Sequence, residues 1–497
     1  MNIIYHSLKR FQKVIEAVCH HLEGKMDFLT FQETLRKELN QLGTGILIDV
    51  LEAKDQYIWE HKEERKGWEV VRRDDNKEIL TVFGQVRYRR TYYRNHKTKQ
   101  YAYLVDNYTG YKPKQRIDPL VKGEALDKAI ELSYRKSGEK ILPDNEEVII
   151  SPEAVKEIIH DLKKEEFFTS WDNNPDIKDN KEHKERNQEK NKEKKRDKKK
   201  KCQFLFIEAD EDHVPAQKGG KRRYLAKLVY IHEGKEEVGK GRMKLKHPHY
   251  FAGLYPDSED LWFEVLDYLD EHYDLEATEK IFISGDGASW IKKGLEIIPE
   301  SVFVLDRFHL EKYLQEGLGK YPSTLSQVRK AMERGDKEEV KVLLKNAQKS
   351  TAEEREVKKL QVLKRYLMNN WEGIITYQEY SHLSLGGSAE GHVSHILSAR
   401  LSSRPMGWSK KGVDHMSYLR AMKANGYSVK ASYLRVHRQN LPPFTLDEET
   451  ITKEREREKE VFREIYNNIP ILKGPVTNFS SVLRDLTKDF SWMGCSI

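Results

Sequence analysis

Phe204-Leu205-Phe206-Ile207-Glu208-Ala209-Asp210 is an apolar run that ends on a carboxylate, and Ile281-Phe282-Ile283-Ser284-Gly285-Asp286-Gly287 repeats that pattern further along the chain. Val302-Phe303-Val304-Leu305 is a third such run and leads into Asp306-Arg307-Phe308-His309. Short stretches rich in β-branched and aromatic residues, closed by glycine or aspartate, read as buried strands. Between the first two runs, Arg223 to Ile231 reads as a second strand and Glu237 to Lys244 as a third. Leu261, Trp262, Val265, Leu266 and Leu269 then recur at helical spacing, and a further helix through Trp290 and Leu295 precedes the last run.

The order is three strands, helix, strand, helix, strand, which is the order of a ribonuclease-H-like α/β fold. In that fold the first and fourth strands lie side by side, so Asp210 and Asp286 are expected to meet at one sheet edge. Carboxylates converging in a cleft repel one another unless a cation lies between them. Mg²⁺ or Mn²⁺ suits hard oxygen ligands, and two such ions about 4 Å apart can serve both the attacking and the leaving oxygen of a phosphodiester. Asp212 shares strand parity with Asp210 and competes for the first position. A third carboxylate should follow the fifth strand. Residues 311–380 are charged and helical in texture and read as an all-helical insertion. Leu385-Gly386-Gly387-Ser388-Ala389-Glu390 then suits a tight loop and a helix start, with Glu390 in the first turn. The candidate catalytic and metal-binding residues are therefore Asp210, Asp286 and Glu390.

Working outward, residues 1–75 read as helices, with Val14, Ile15 and Val18, then Phe28, Phe31 and Leu35, at helical spacing. Residues 76–118 read as a small basic β-rich segment. Within it Gly84 marks a bend, and Arg87, Arg89 and Arg90 interleave with tyrosines, a mixture that suits phosphate contact and base stacking. Residues 119–170 read as a helix-turn-helix. One helix runs from about Leu120 to Arg135. A second opens at Ser151-Pro152-Glu153, with Val155, Ile158 and Ile159 inward and Lys156, His160 and Lys163 outward toward DNA. Residues 171–201 read as a charged linker.

The whole chain of 497 residues carries a net charge of +7. Residues 181–201 hold twelve Lys/Arg against five Asp/Glu, so this one tract carries the entire excess. Such a tract attracts polyanions. The length suits two to four domains. No apolar run approaches the roughly 20 residues of a membrane span. Residues 1–10 lack the apolar stretch of a signal peptide, so a cytoplasmic, nucleoid-associated location is expected. Cys19, Cys202 and Cys495 are too few and too scattered for a disulfide framework and read as free thiols.

Four stretches carry a family resemblance: Ile207-Glu208-Ala209-Asp210-Glu211-Asp212-His213-Val214; Ser284-Gly285-Asp286-Gly287-Ala288; Leu305-Asp306-Arg307-Phe308-His309-Leu310; and Ser388-Ala389-Glu390-Gly391-His392-Val393 with Arg400 and Arg404-Pro405-Met406-Gly407-Trp408-Ser409. In these the chain resembles the ISLre-type insertion-sequence transposases of bacteria, relatives of the Mutator-like group. The resemblance extends to residues 81–93 and 132–139. It implies a DDE-type DNA transposase with a helical insertion before the third carboxylate, and it implies that Asp306 and His309 form an accessory Asp-x-x-His motif. Arg400, Arg404, Trp408 and Lys410 form a basic, aromatic patch near Glu390 where DNA would approach. His392 and His395 lack a cysteine partner and read as structural or DNA-facing rather than zinc-binding.

The expected partners are transposon-end and target DNA, with a homo-oligomer in the DNA complex. A non-catalytic, sequence-specific DNA-binding protein derived from a transposase is the alternative, and a structure-specific nuclease of the same fold a third reading. The remaining boundaries are 202–310 and 381–440 for the two parts of the catalytic core and 441–497 for a helical tail. Within that tail residues 453–460 alternate in charge and read as a solvated helix.

Overall fold

The computed structural model describes residues 3–141, 149–164, 199–217, 223–239, 242–383, 385, 387–404, 406–438, 448–449, 451–453 and 456. The linker tract over residues 181–198 and nearly all of the tail, Cys495 included, lie outside the described residues. Two compact units divide the chain. The first comprises residues 1–129, 133–155 and 430–497, the second residues 130–132 and 156–429.

In the first unit two helices, Ile3–Leu22 and Phe28–Glu60, precede an antiparallel hairpin of β1 (Trp68–Thr81) and β2 (Gly84–Asn95), to which β3 (Tyr101–Ala102) adds a short third strand. Asp27 caps the long helix by accepting from the Leu29 and Thr30 amides at 2.9 and 3.0 Å. The hairpin turns at Gly84, whose φ of +126° a side chain would strain. β1 begins at Trp68, earlier than the expected start of the β-rich segment at residue 76. Its middle, Arg72-Arg73-Asp74-Asp75, is charged and exposed except for the half-buried Asp75, so no apolar alternation marked it as strand.

Along β2 the period of two points Val86, Tyr88 and Arg90 inward and Gln85, Arg87 and Arg89 outward. Val86 and Tyr88 join Leu51, Ile58, Ile79, Tyr93, Leu104 and Val105 in the core of this unit. Arg90 is a correction. It is buried in an ion pair with Asp106, its guanidinium 3.5 Å from the Tyr103 ring centroid, and so is not exposed for DNA contact.

The helix expected from Leu120 to Arg135 is two: Pro119–Ala129 and Tyr134–Glu139. Ser133 restarts the chain by accepting from the Lys136 amide at 3.3 Å. Pro152–His160 begins where expected, with Ser151 Oγ accepting from the Ala154 amide at 3.2 Å. Val155, Ile158 and Ile159 are buried, and Lys156 and His160 are half-buried rather than freely outward.

The second unit is built on a five-stranded mixed sheet in the order β10-β9-β4-β5-β8. Its strands are β4 (Phe204–Pro215), β5 (Arg223–His232), β8 (His249–Gly253), β9 (Lys280–Gly285) and β10 (Ser301–Leu305). The first and fourth, β4 and β9, are parallel neighbours, as expected. The stretch read as the third strand is instead a separate hairpin, β6 (Lys235–Gly239) and β7 (Arg242–Leu245). Its residues are almost all exposed, whereas the true third sheet strand, His249-Tyr250-Phe251-Ala252-Gly253, is buried throughout. Charged residues alternating with uncharged ones imitate a strand, whereas a short buried run shows no alternation.

Leu205, Ile207 and Ala209 of β4 pack with Leu261, Trp262, Val265 and Leu269 of helix Ser258–His272 on one sheet face. Each fully buried leucine, isoleucine or valine among them contributes roughly 1.5–3 kcal/mol. The opposite face of β4 carries Phe206, Glu208, Asp210 and Asp212. After β10 five helices follow: Arg307–Leu318, Pro322–Glu333, Lys337–Ser350, Glu354–Asn369 and Trp371–Glu379. Their Leu314, Leu318, Val328, Leu344, Leu360 and Leu367 continue the same core. No helix of the described residues is long and apolar enough to cross a membrane.

Candidate active site

The pairing of β4 with β9 places Glu208 opposite Ser284, which brings the end of β9 beside Asp210. Gly285 is needed for that approach, because a side chain there would collide with the Ala209 carbonyl and Ile291. Gly287 turns the chain at φ +91°, and the Asp286 carboxylate accepts from the Ala288 amide at 2.8 Å. The Asp306 amide donates to the Gly285 carbonyl at 2.9 Å, so the loop after β10 is pinned to the loop after β9.

Asp306 caps the helix Arg307–Leu318. Its Oδ2 accepts from the His309 amide at 3.2 Å and lies 2.8 Å from His309 Nδ1. With Nδ1 engaged, Nε2 is the nitrogen left for a ligand. Asp210, His309 and Glu390 each offer a donor atom within 4.8 Å of the others. Among the described residues this is the group with metal-ligand spacing. Asp286 is not a member of that trio, but its charge acts on both Asp210 and His309.

The carboxylates of the site crowd one another. Burial, with Asp286 and Glu390 adding to it, pushes the Asp210 carboxyl up to about 6, against the Glu211 amide and His309. The Asp306 hydrogen bond raises His309 against the effect of burial, and Asp210 and Asp286 raise it further. Asp212 belongs to a different neighbourhood. It is buried, accepts from Ser402 Oγ at 2.9 Å, and is raised mainly by burial. The structure therefore brings Asp210, rather than Asp212, to the other candidate ligands.

Glu390 lies in the first turn of the short helix Ala389–Val393. Ser388 does not cap that helix with its side chain. Its hydroxyl donates instead to Glu208 Oε1 at 2.7 Å, and its amide donates to Oε2 at 2.9 Å. Glu208 also faces His232 Nε2 at 3.3 Å. Burial works to raise its carboxyl, but His232, Lys235 and Ser388 outweigh it and hold Glu208 at about 2. The reading of the sequence missed this residue, although the parity shared by positions 208, 210 and 212 would have exposed it. His392 is structural here, with its ring 4.6 Å from that of Tyr230 and Nδ1 3.1 Å from the Tyr250 hydroxyl.

The basic patch divides. Arg404 and Lys410 are exposed, whereas Arg400 and Trp408 are buried, with the guanidinium 4.8 Å from the indole centroid. Trp408 Nε1 donates to the Leu401 carbonyl, and its backbone bonds to Pro215 and Gln217 at the end of β4. Arg400 and Trp408 thus serve packing and do not present a surface to DNA, correcting the expectation for both. His160 is 3.1 Å from Ser409 Oγ and is held below its ordinary value by burial. In the first unit, Arg87 and Arg89 are exposed and ion-paired with Glu78 and Glu52.

A family model described as an uncharacterised protein family, UPF0236, matches residues 21–438. A UPF0236 protein of Caldanaerobacter subterraneus subsp. tengcongensis, named for eleven loci of that organism, is 37% identical over 486 residues, which cover 97% of this chain and 97% of its own. A second from the same organism, named for four loci, is also 37% identical over 486 residues and 97% of each chain. A UPF0236 protein of Streptococcus gallolyticus, named for its position in the vanSb 3′ region, is 25% identical over 426 residues, 83% of this chain and 85% of that one.

Proposed function

The chain belongs to the uncharacterised protein family UPF0236, and we propose that it is a DNA transposase of an insertion sequence, cutting and joining strands at the ends of its own element. The observation that carries this reading is the convergence of Asp210, His309 and Glu390 within 4.8 Å, with Asp286 beside them, at the end of the paired strands β4 and β9. The sheet order β10-β9-β4-β5-β8 supports a ribonuclease-H-like core. The helices between His309 and Glu390 support a DDE-type arrangement in which an insertion separates the third carboxylate from the first two. Relatives named for many loci of one genome support a mobile element.

The donor set fits Mg²⁺ or Mn²⁺, since it is rich in carboxylate oxygen and its single imidazole is better tolerated by Mn²⁺. A divalent cation would supply Lewis acidity at a scissile phosphate. Asp210, Glu390 and His309 would hold it, and Asp286 would share a second ion with Asp210. Asp306 fixes the orientation and tautomer of His309 through Nδ1. Exposed cations, among them Arg404, Lys410, Arg87 and Arg89, would meet phosphates, and residues 119–170 would recognise the element's ends as a helix-turn-helix.

The test is substitution. Asp286→Asn and Glu390→Gln should each abolish Mg²⁺-dependent cleavage of end DNA while gel-shift binding persists. Full metal-dependent cleavage by either variant would overturn the assignment. Intact binding with no cleavage by the wild type would favour a non-catalytic DNA-binding protein.

A further inference from the structure

Glu390 sits in the first turn of a helical stretch that runs from Ala389–Val393 through a π-helical turn, Ser394–Ser398, to Leu401. Its first turn has no side-chain cap of its own, and the first amides of a helix find no partner within it. The chain reaches it from Gly387, whose φ of +85° turns it sharply. Contacts from outside the helix at its uncapped start therefore help to fix where Glu390 stands. Glu208 is the group placed to do so. It is 1% exposed, and a carboxylate so deeply buried costs several kcal/mol unless its oxygens are satisfied. Both of its oxygens are engaged by one residue, Ser388, two positions before Glu390: Oε2 by the amide at 2.9 Å and Oε1 by the hydroxyl at 2.7 Å. The Ser388 hydroxyl also lies 2.8 Å from the Tyr230 hydroxyl on β5. His232 Nε2 at 3.3 Å and Lys235 Nζ at 3.8 Å face the same Oε1 and hold Glu208 itself. Glu208 shares one face of β4 with Asp210.

We propose that Glu208 is a positioning residue, a buried clamp that ties the Glu390 segment to the strand bearing Asp210 and so sets the spacing of the candidate cation ligands. The inference rests on reading Asp210, His309 and Glu390 as a cation site. Glu208 touches neither cation nor DNA and acts only through Ser388.

The experiment uses the full chain without DNA and two readouts. One is Mn²⁺ affinity, from the electron paramagnetic resonance signal of free Mn²⁺. The other is amide hydrogen exchange across residues 387–393, compared with β4 and β5. Ser388→Ala removes one clamp bond and leaves the buried carboxylate paired by the amide, so it tests the clamp even if Glu208→Ala fails to fold. Ser388→Ala should weaken Mn²⁺ binding roughly tenfold and Glu208→Ala up to roughly a hundredfold. Glu208→Gln, whose amide oxygen still accepts one bond, should fall between wild type and Glu208→Ala. Faster exchange should be confined to residues 387–393. Unchanged Mn²⁺ affinity and unchanged exchange in Ser388→Ala would overturn the proposal. So would exchange that rises equally through β4 and β5, since that is loss of fold rather than of position. If the wild type binds no Mn²⁺, the cation reading falls, and the local exchange pattern alone upholds or refutes the clamp.

Discussion

His249 should make the protein acid-sensitive, and replacing it with phenylalanine should remove that sensitivity. The side chain lies at the start of β8, only 6% exposed. Its ring stacks on Tyr268 with centroids 3.9 Å apart and meets Phe251 edge-on at 5.0 Å. An imidazolium in that slot would lose its hydration, so burial, with His272 adding to it, pushes the folded-state value down from 6.5 to about 3. Above pH 6.5 both folded and unfolded chains carry a neutral ring and the residue has no pH effect. Below 6.5 the unfolded chain takes up a proton that the folded chain refuses. Stability then falls by about 1.4 kcal/mol for each pH unit until the folded value is reached. Between pH 7.5 and pH 5.0 the loss is about 2 kcal/mol from this one group. Urea denaturation of wild type and His249→Phe at both pH values measures it. Other groups titrate in the same interval, so the quantity of interest is how much less the variant loses than the wild type. Phenylalanine keeps the aromatic contacts, and the variant should lose about 2 kcal/mol less. Equal losses in the two proteins would refute the reasoning, because they would mean that the folded chain protonates His249 as readily as water does.

Asp210→Asn should raise the melting temperature of the metal-free protein, since it removes a buried charge crowded by Asp286 and Glu390, and should abolish the rise that Mn²⁺ gives the wild type. Scanning fluorimetry with and without Mn²⁺ checks this, and a metal-induced rise retained by the variant would contradict it. Arg90→Ala should cost roughly 3–5 kcal/mol, because it leaves Asp106 buried without its guanidinium partner. Salt-dependent DNA affinity of the folded fraction should be unchanged, and a lower salt slope without lost stability would return Arg90 to the DNA interface. Replacing residues 181–201 with Gly/Ser of equal length should flatten the slope of log affinity against log salt by roughly 0.9 for each phosphate that the tract neutralises. An unchanged slope would make the tract a spacer.

The sheet was legible where buried runs ended on signals. β4, β9 and β10 each join an apolar run to an aspartate, and Asp210 and Asp286 follow from that pattern, whereas a role for Asp306 is implied only by the resemblance. The first and fourth strands meet as their order implied. β8 was missed because a strand buried on both sides has no period of two to display, while the exposed hairpin β6–β7 offered alternation without a core.

The site was legible as residue types, and less so as partnerships. Glu208 looked like one more acid before Asp210, and only the fold shows its oxygens spent on Ser388, remote in sequence. His309, implied by resemblance as an accessory, lies closer to the candidate ligand set than the accessory label suggested. Arg400 and Trp408 read as a DNA-facing pair because a cation beside an aromatic ring looks alike in sequence whether it binds phosphate or, as here, packs on its neighbour.

The central claim is strand transfer, and the most direct measurement of it is a joining assay. Purified protein, Mg²⁺, a supercoiled plasmid and a labelled duplex ending in the DNA that flanks the gene would be incubated together, and label covalently joined to plasmid would be counted. A transposase should join the duplex through its 3′-hydroxyl, giving labelled plasmid that disappears with a 3′-dideoxy end, with Glu390→Gln, or without divalent metal. Metal-dependent nicking with no joined product would contradict the claim and leave a nuclease in its place.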